Sequence, residues 1–200
     1  MKRINLLFVV LLTLMPLLAQ NIRVLSDQKI GEGWYPRIAA DGMSVEYLES
    51  EGDAYTVDVY ESTYVTNENL QLVLYKDGER KVLTPHGSEV HYIWASLSPD
   101  GKKIVFNTKR GTAVCDLQGR ELINLGDLDA PQWFGNDYIV GMFDPHDGHR
   151  FLGSSIFIRS IDGRFSKCLS DPQEFGMYPT VSAKTGRIAY NTLQGELRMM

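Results

Sequence analysis

Apolar positions between residues 21 and 200 fall in short runs: Val45-Glu46-Tyr47-Leu48, Leu72-Val73-Leu74-Tyr75, Ile104-Val105-Phe106, Ala113-Val114-Cys115, Tyr138-Ile139-Val140, Ile156-Phe157-Ile158 and Ile188-Ala189-Tyr190. Gly, Asp, Asn and Pro separate them, and nowhere does an apolar stripe keep the 3.6-residue period of a helix. The pattern predicts an all-β chain. Runs with no polar alternation are those of strands covered on both faces.

Ser98-Pro99-Asp100-Gly101-Lys102-Lys103 shows how two such strands join. Pro99 presets φ for a tight turn, Asp100 can accept from the backbone two residues on, and Gly101 takes the positive φ that completes the reversal. Three other segments align on it. Tyr35-Pro36-Arg37-Ile38-Ala39-Ala40-Asp41-Gly42 precedes Val45, Ala130-Pro131-Gln132-Trp133-Phe134-Gly135-Asn136-Asp137 precedes Tyr138, and Tyr178-Pro179-Thr180-Val181-Ser182-Ala183-Lys184-Thr185-Gly186 precedes Ile188. A second turn follows each of the first three, with glycines at 78, 119 and 163. Those intervals of 41 and 44 residues match one four-stranded propeller blade.

These motifs resemble the WD-like repeat of TolB-like propellers and of the propeller domains of prolyl-oligopeptidase-type enzymes. The resemblance covers nearly all of the chain after residue 20, is strongest at 98–106, and implies a β-propeller. Blades are expected at about 34–85, 91–126, 130–171 and 178–200. The last stops one strand short, and residues 21–28 supply a candidate for it: Ile22-Arg23-Val24-Leu25-Ser26-Asp27 looks like the outer strand Lys167-Cys168-Leu169-Ser170-Asp171. The expectation is a four-bladed ring in which 21–27 pairs with the last blade; the alternative is a fragment of a five- or six-bladed one. Between Leu48 and Leu72 the first blade carries more chain than a loop needs, rich in Tyr, Val and Thr.

Lys2 and Arg3 followed by the apolar stretch to Ala19 predict a signal peptide over 1–20, too short in its apolar part for the ~20 residues of a membrane span. Export implies a periplasmic or secreted protein with no stable span after its removal. Losing Lys2 and Arg3 takes the formal charge from −5 to −7. An acidic chain without a basic stripe excludes nucleic acid as the expected partner. Cys115 and Cys168 fall at different strand positions of neighbouring repeats, so free thiols are expected rather than a disulfide.

Candidate chemistry is sparse. Asp144-Pro145-His146-Asp147-Gly148-His149-Arg150 puts two imidazoles and two carboxylates together, so Asp144, His146, Asp147 and His149 are weak metal candidates against the plainer reading of a polar turn. No Gly-x-Ser-x-Gly elbow is present. No cofactor or catalytic set is expected. Trp34, Trp94 and Trp133 recur near the start of the repeats, where an aromatic is expected to pack between blades. Propellers bind through loops. The two long ones nominate Tyr60, Tyr64, Phe143 and Arg150, since tyrosine and arginine concentrate at interface hot spots. The expected function is a non-catalytic module binding a protein or peptide of the cell envelope. By resemblance to TolB-like propellers, that partner could be a peptidoglycan-associated lipoprotein. The alternative is a carbohydrate-binding or hydrolytic propeller.

Overall fold

The structure, a computed structural model, describes residues 24, 26–32, 34–38, 45–48, 63–76, 79–147, 150–182 and 184–200. The expected signal peptide, Tyr60, His149 and the turn at 39–42 lie outside them.

Three complete four-stranded antiparallel sheets follow the repeats. One is β7 (Ile93–Leu97), β8 (Lys103–Thr108), β9 (Gly111–Asp116) and β10 (Ile123–Gly126). The next is β11 (Asp129–Phe134), β12 (Tyr138–Phe143), β13 (Ser155–Ser160) and β14 (Ser166–Cys168). The last is β15 (Met177–Val181), β16 (Ile188–Asn191) and β17 (Glu196–Met199), with β1 (Gln28–Glu32) as its outer strand. The rest of the strands form a hairpin, β2 (Trp34–Ile38) with β3 (Val45–Leu48), and a sheet of β4 (Thr63–Glu68), β5 (Gln71–Lys76) and β6 (Glu79–Leu83). The hairpin packs on β15 and β16 while β4 packs on β7, so both lie between the last complete blade and the first. Taken together as one blade split by the chain between Leu48 and Thr63, they complete a four-bladed propeller. Among the described residues, the expected 34–85 blade comprises two hydrogen-bonded sets.

The N-terminal strand closes the last blade, as expected. Gln28 pairs with Met199 and Glu32 with Glu196; of the expected 21–27, only 24, 26 and 27 lie among the described residues. Asp27, just before the strand, anchors it: its carboxylate accepts from Tyr190 Oη at 2.6 Å and from Arg198 Nε at 3.1 Å.

Packing explains the unbroken apolar runs. Side chains alternate across a strand, so in β8 Ile104 and Phe106 join Leu72, Leu74 and Tyr92 toward the β4–β6 sheet, while Val105 joins Trp133 and Ile139 toward β11–β14. In β12, Ile139 faces back and Val140 and Met142 face forward onto Ile188 and Tyr190. Each middle strand is thus core on both faces. Fully burying such a side chain contributes about 1.5–3 kcal/mol.

The turn at 98–103 forms as its residues require. Gly101 has φ 67° and donates to Ser98 O at 2.8 Å; Ser98 Oγ accepts from Lys103 N at 2.9 Å, and Asp100 Oδ1 accepts from Lys102 N at 3.2 Å. Ser160, Asp162 and Gly163 repeat this arrangement between β13 and β14. Cys115 is buried and Cys168 half-buried, both as free thiols.

Candidate binding cleft

In the β7–β10 and β11–β14 blades the first-to-second and third-to-fourth turns lie at one end of the sheet and the second-to-third connection at the other; in the last blade, whose fourth strand is β1, the β15–β16 and β16–β17 turns take the same two ends. That second end carries a cleft of about 710 Å³. The β8–β9 turn contributes Lys109, the start of the β12–β13 connection contributes Phe143, Asp144 and His146, and the β4–β5 turn contributes Leu70.

Backbone irregularity places the remaining walls. In β7, β11 and β15 the pairing slips between Ile93 and Ser96, Asp129 and Gln132, and Met177 and Thr180. The residue following each slip has a positive φ: Trp94 51°, Ala130 47°, Tyr178 50°. A left-handed non-glycine residue costs about 1–2 kcal/mol, and the same cost recurs in every complete blade. Such bulges re-aim side chains at the ends of strands. Ile93 and Asp129, the residues just before two of them, both line the cleft.

Asp129 is held from two sides. Asn107, at the end of β8, donates from Nδ2 to Asp129 Oδ1 and to Leu128 O, each at 2.7 Å, tying one blade to the next. Thr112 donates its hydroxyl to the same Leu128 carbonyl. Against Asp129 lies Asp144, hydrogen-bonded to it; burial first, then that hydrogen bond and the Asp129 charge, push the Asp144 carboxyl up to about 6. Asp127, on the connection between β10 and β11, adds a third acid at the cleft, and its charge is felt by Arg159.

Of the residues nominated from sequence, Phe143 lines the cleft and packs edge-on against Phe157, ring centroids 5.7 Å apart. Asp144 and His146 line it too. Asp147 instead closes the tip of the same connection, accepting from Arg150 N at 2.7 Å, and both are exposed there, outside the cleft wall. Tyr64 lies on β4 opposite Tyr75. Among the described residues, no group of three or more His, Cys, Asp or Glu is arranged to hold a metal ion. His86 is a core residue, bonded to Thr108 and Asn124 and edge-on to Phe106. Trp133 packs between blades as expected, whereas Trp94 is 39% exposed because the bulge turns it out.

Asp127, Asp129 and Asn107 were not singled out in the sequence, and His91 and Lys109 read there as loop and strand-end residues. The first two sit in the gap between two repeats, where alignment on apolar runs assigns nothing. Asn107 had a readable signal: Phe106-Asn107-Thr108 and Tyr190-Asn191-Thr192 end equivalent strands with the same polar pair.

Meander sheets of this kind, packed blade on blade through two-sided cores, define an all-β propeller. No family model matches the chain, and no curated protein does. Solved structures similar to it include TolB from Acinetobacter baumannii, at 19% identity and TM-score 0.49, covering 66% of this chain and 36% of that one. They include an oligogalacturonate lyase from Vibrio parahaemolyticus, at 11% identity and TM-score 0.45, covering 67% of this chain and 42% of that one. A third is the Swd1 β-propeller domain of Myceliophteria thermophila, at 11% identity and TM-score 0.38, covering 70% of this chain and 66% of that one. The chain spans little more than a third of the TolB chain it is similar to.

Proposed function

We propose that this propeller is an exported, non-catalytic module that docks a protein or peptide partner of the cell envelope at its cleft-bearing end. The observation that carries the reading is the composition of that end. A cleft of about 710 Å³ combines the apolar Leu70, Ile93 and Phe143 with fixed polar groups, the make-up of a recognition site. Beside it the β12–β13 connection leaves Phe151 and Leu152 exposed, and the β16–β17 turn leaves Leu193 exposed. Export rests on the 1–20 segment, and the envelope partner, a peptidoglycan-associated lipoprotein being one candidate, on the resemblance to TolB-like propellers. Among the described residues, no helix is long and apolar enough to cross a membrane.

The Asp129–Asp144 pair favours a second reading, hydrolysis of a glycoside, because a carboxyl protonated near neutrality can act as a general acid. Its geometry argues against this. Retaining and inverting glycosidases hold their carboxyls about 5 Å or more apart to admit the sugar bond, and here the two touch. The test is capture from envelope extract by the mature chain. Phe143→Ala, Arg150→Ala, Tyr64→Ala and Tyr60→Ala are compared with wild type, with circular dichroism as the folding control. Reduced capture by folded Phe143→Ala supports the cleft; undiminished capture by all four places the docking surface elsewhere.

A further inference from the structure

Resting on that reading, we propose that the cleft receives a cationic side chain of a peptide, a lysine ammonium or arginine guanidinium, at the contact between Asp129 and Asp144.

Two features of the cleft select this chemistry together. Its lining includes the apolar Leu70 from the β4–β5 turn, Ile93 from β7 and Phe143 from β12. It also includes three acids, Asp127, Asp129 and Asp144. A lysine or arginine has the matching form, an aliphatic stem ending in a charged head. An anionic ligand would meet three acidic side chains. A neutral ligand would offer them no countercharge.

Asn107 donates to Asp129 Oδ1 and so holds that carboxyl in place against Asp144, whose own carboxyl is raised to about 6 by burial and by Asp129. A cation arriving between them stabilises both as carboxylates, so at pH 5.0, where Asp144 is mostly protonated, its proton leaves to solvent. The other charges around the pair come from each neighbouring element: Asp127 on the β10–β11 connection, Lys109 on the β8–β9 turn, His91 before β7 and His146 after β12. Lys109 is exposed and His91 precedes the strand at the surface. His146 favours the Asp144 carboxylate through its charge, but less than burial and Asp129 oppose it.

The experiment is calorimetric titration of the chain with the peptide acetyl-Leu-Lys-Phe-Lys-amide at pH 7.5 and pH 5.0. The same peptide with both lysines acetylated, a neutral oligosaccharide and calcium chloride are titrated in parallel. The expected result is saturable binding of the lysine peptide, about tenfold weaker at pH 5.0, where a carboxyl titrating near 6 is mostly protonated. Buffers of different ionisation enthalpy should report close to one proton released per peptide at pH 5.0. Asp144→Asn should bind with no difference between the two pH values. Equal wild-type affinity at both pH values, equal binding of the acetylated peptide, or preference for the sugar or calcium would overturn the proposal. If the lysine peptide fails while Phe143→Ala still abolishes envelope capture, the cationic assignment falls and the binding-module reading stands. If both fail, both fall.

Discussion

Asp27 and Tyr190, 163 residues apart in sequence, meet at 2.6 Å: the tyrosine hydroxyl donates to the carboxylate across the junction where the chain's N-terminal segment joins its last blade. Arg198 completes the anchor, bonding Asp27 Oδ1 through Nε at 3.1 Å and reaching Glu174 through Nη1 at 3.2 Å. Burial, followed by the Asp27 and Glu174 carboxylates, drives the Tyr190 phenol far above its ordinary range. The ring also packs in the core between the last two complete blades. One side chain therefore couples blade packing to closure.

Tyr190→Phe keeps the ring and removes the donor. Asp27 retains Arg198, so the cost should be about 1 kcal/mol, or about 2–4 °C in melting temperature. Arg198→Ala leaves Asp27, Glu174 and Glu196 facing one another without their shared cation and should cost about twice as much. Urea unfolding of both variants checks the order. Equal stability of wild type and Arg198→Ala would mean that the ladder of β1 on β17 holds the junction alone.

The repeats were legible because they rest on local chemistry. A Ser-Pro-Asp-Gly turn needs only its own residues, and a strand packed on both faces shows itself as an unbroken apolar run. The ring junction was legible as an unpaired last blade and a strand-like N-terminal segment, but its polar anchor was not, since Asp27 and Arg198 are a pair 171 residues apart and pairing at that distance leaves no trace in periodicity. The cleft was half legible. Phe143, Asp144 and His146 stood in a long loop, but Asp127 and Asp129 are joined to it only by the register slip in β11, which depends on interblade packing.

Gly101 provides a test of the opening turn. A Cβ there would meet no atom within 4 Å, and φ is 67°. Steric clash is therefore absent, and any loss comes from backbone conformation alone. Gly101→Ala should cost about 1–2 kcal/mol, and Gly101→Val more, because β-branched residues disfavour positive φ further. Gly101→Asn, which tolerates this region, should recover part of the loss in thermal melts. A flat series would show that the turn relaxes to another type.

Cys115 is buried between the first blades, and burial, with the neighbouring Asp116 charge, pushes its thiol up to about 12. The thiolate is the reactive form. Native protein at pH 8 should leave Cys115 unalkylated by iodoacetamide over hours and react fully in urea, as read by peptide mass spectrometry. Rapid native labelling would mean that this interblade core opens readily.

Asp144 should impose a pH dependence on stability. Its native carboxyl titrates near 6, raised by burial and by Asp129, against about 3.9 in an unfolded chain. Between about pH 4 and 6 the folded state holds a proton that the unfolded state has released. Its contribution is therefore fully present below about 4 and lost as pH rises through 6. Asp144→Asn should stabilise the protein at pH 7.5 by about 1 kcal/mol, solvent screening at this half-buried site reducing the full effect, and should give no gain at pH 4. Chemical denaturation at the two pH values measures the difference. A gain that is the same at both would point to a packing effect instead.

Asn107 ties β8 to the first residue of the next blade, and its amide nitrogen has two acceptors at 2.7 Å, Leu128 O and Asp129 Oδ1. Asn107→Ala removes that donor from a residue only 3% exposed. Thr112 still donates to the Leu128 carbonyl, so the unsatisfied group left behind is mainly Asp129, and the loss should be about 2 kcal/mol. Asn107→Asp puts a carboxylate where the donor was, facing Asp129, and should lose more at pH 7.5 than at pH 4, where protonation restores a donor. It should also carry the disturbance into the cleft, because Asp129 no longer has the donor that holds it against Asp144. A pH-independent loss in Asn107→Asp, equal to that of Asn107→Ala, would show that Asn107 acts by filling space rather than by donating to the carboxyl pair.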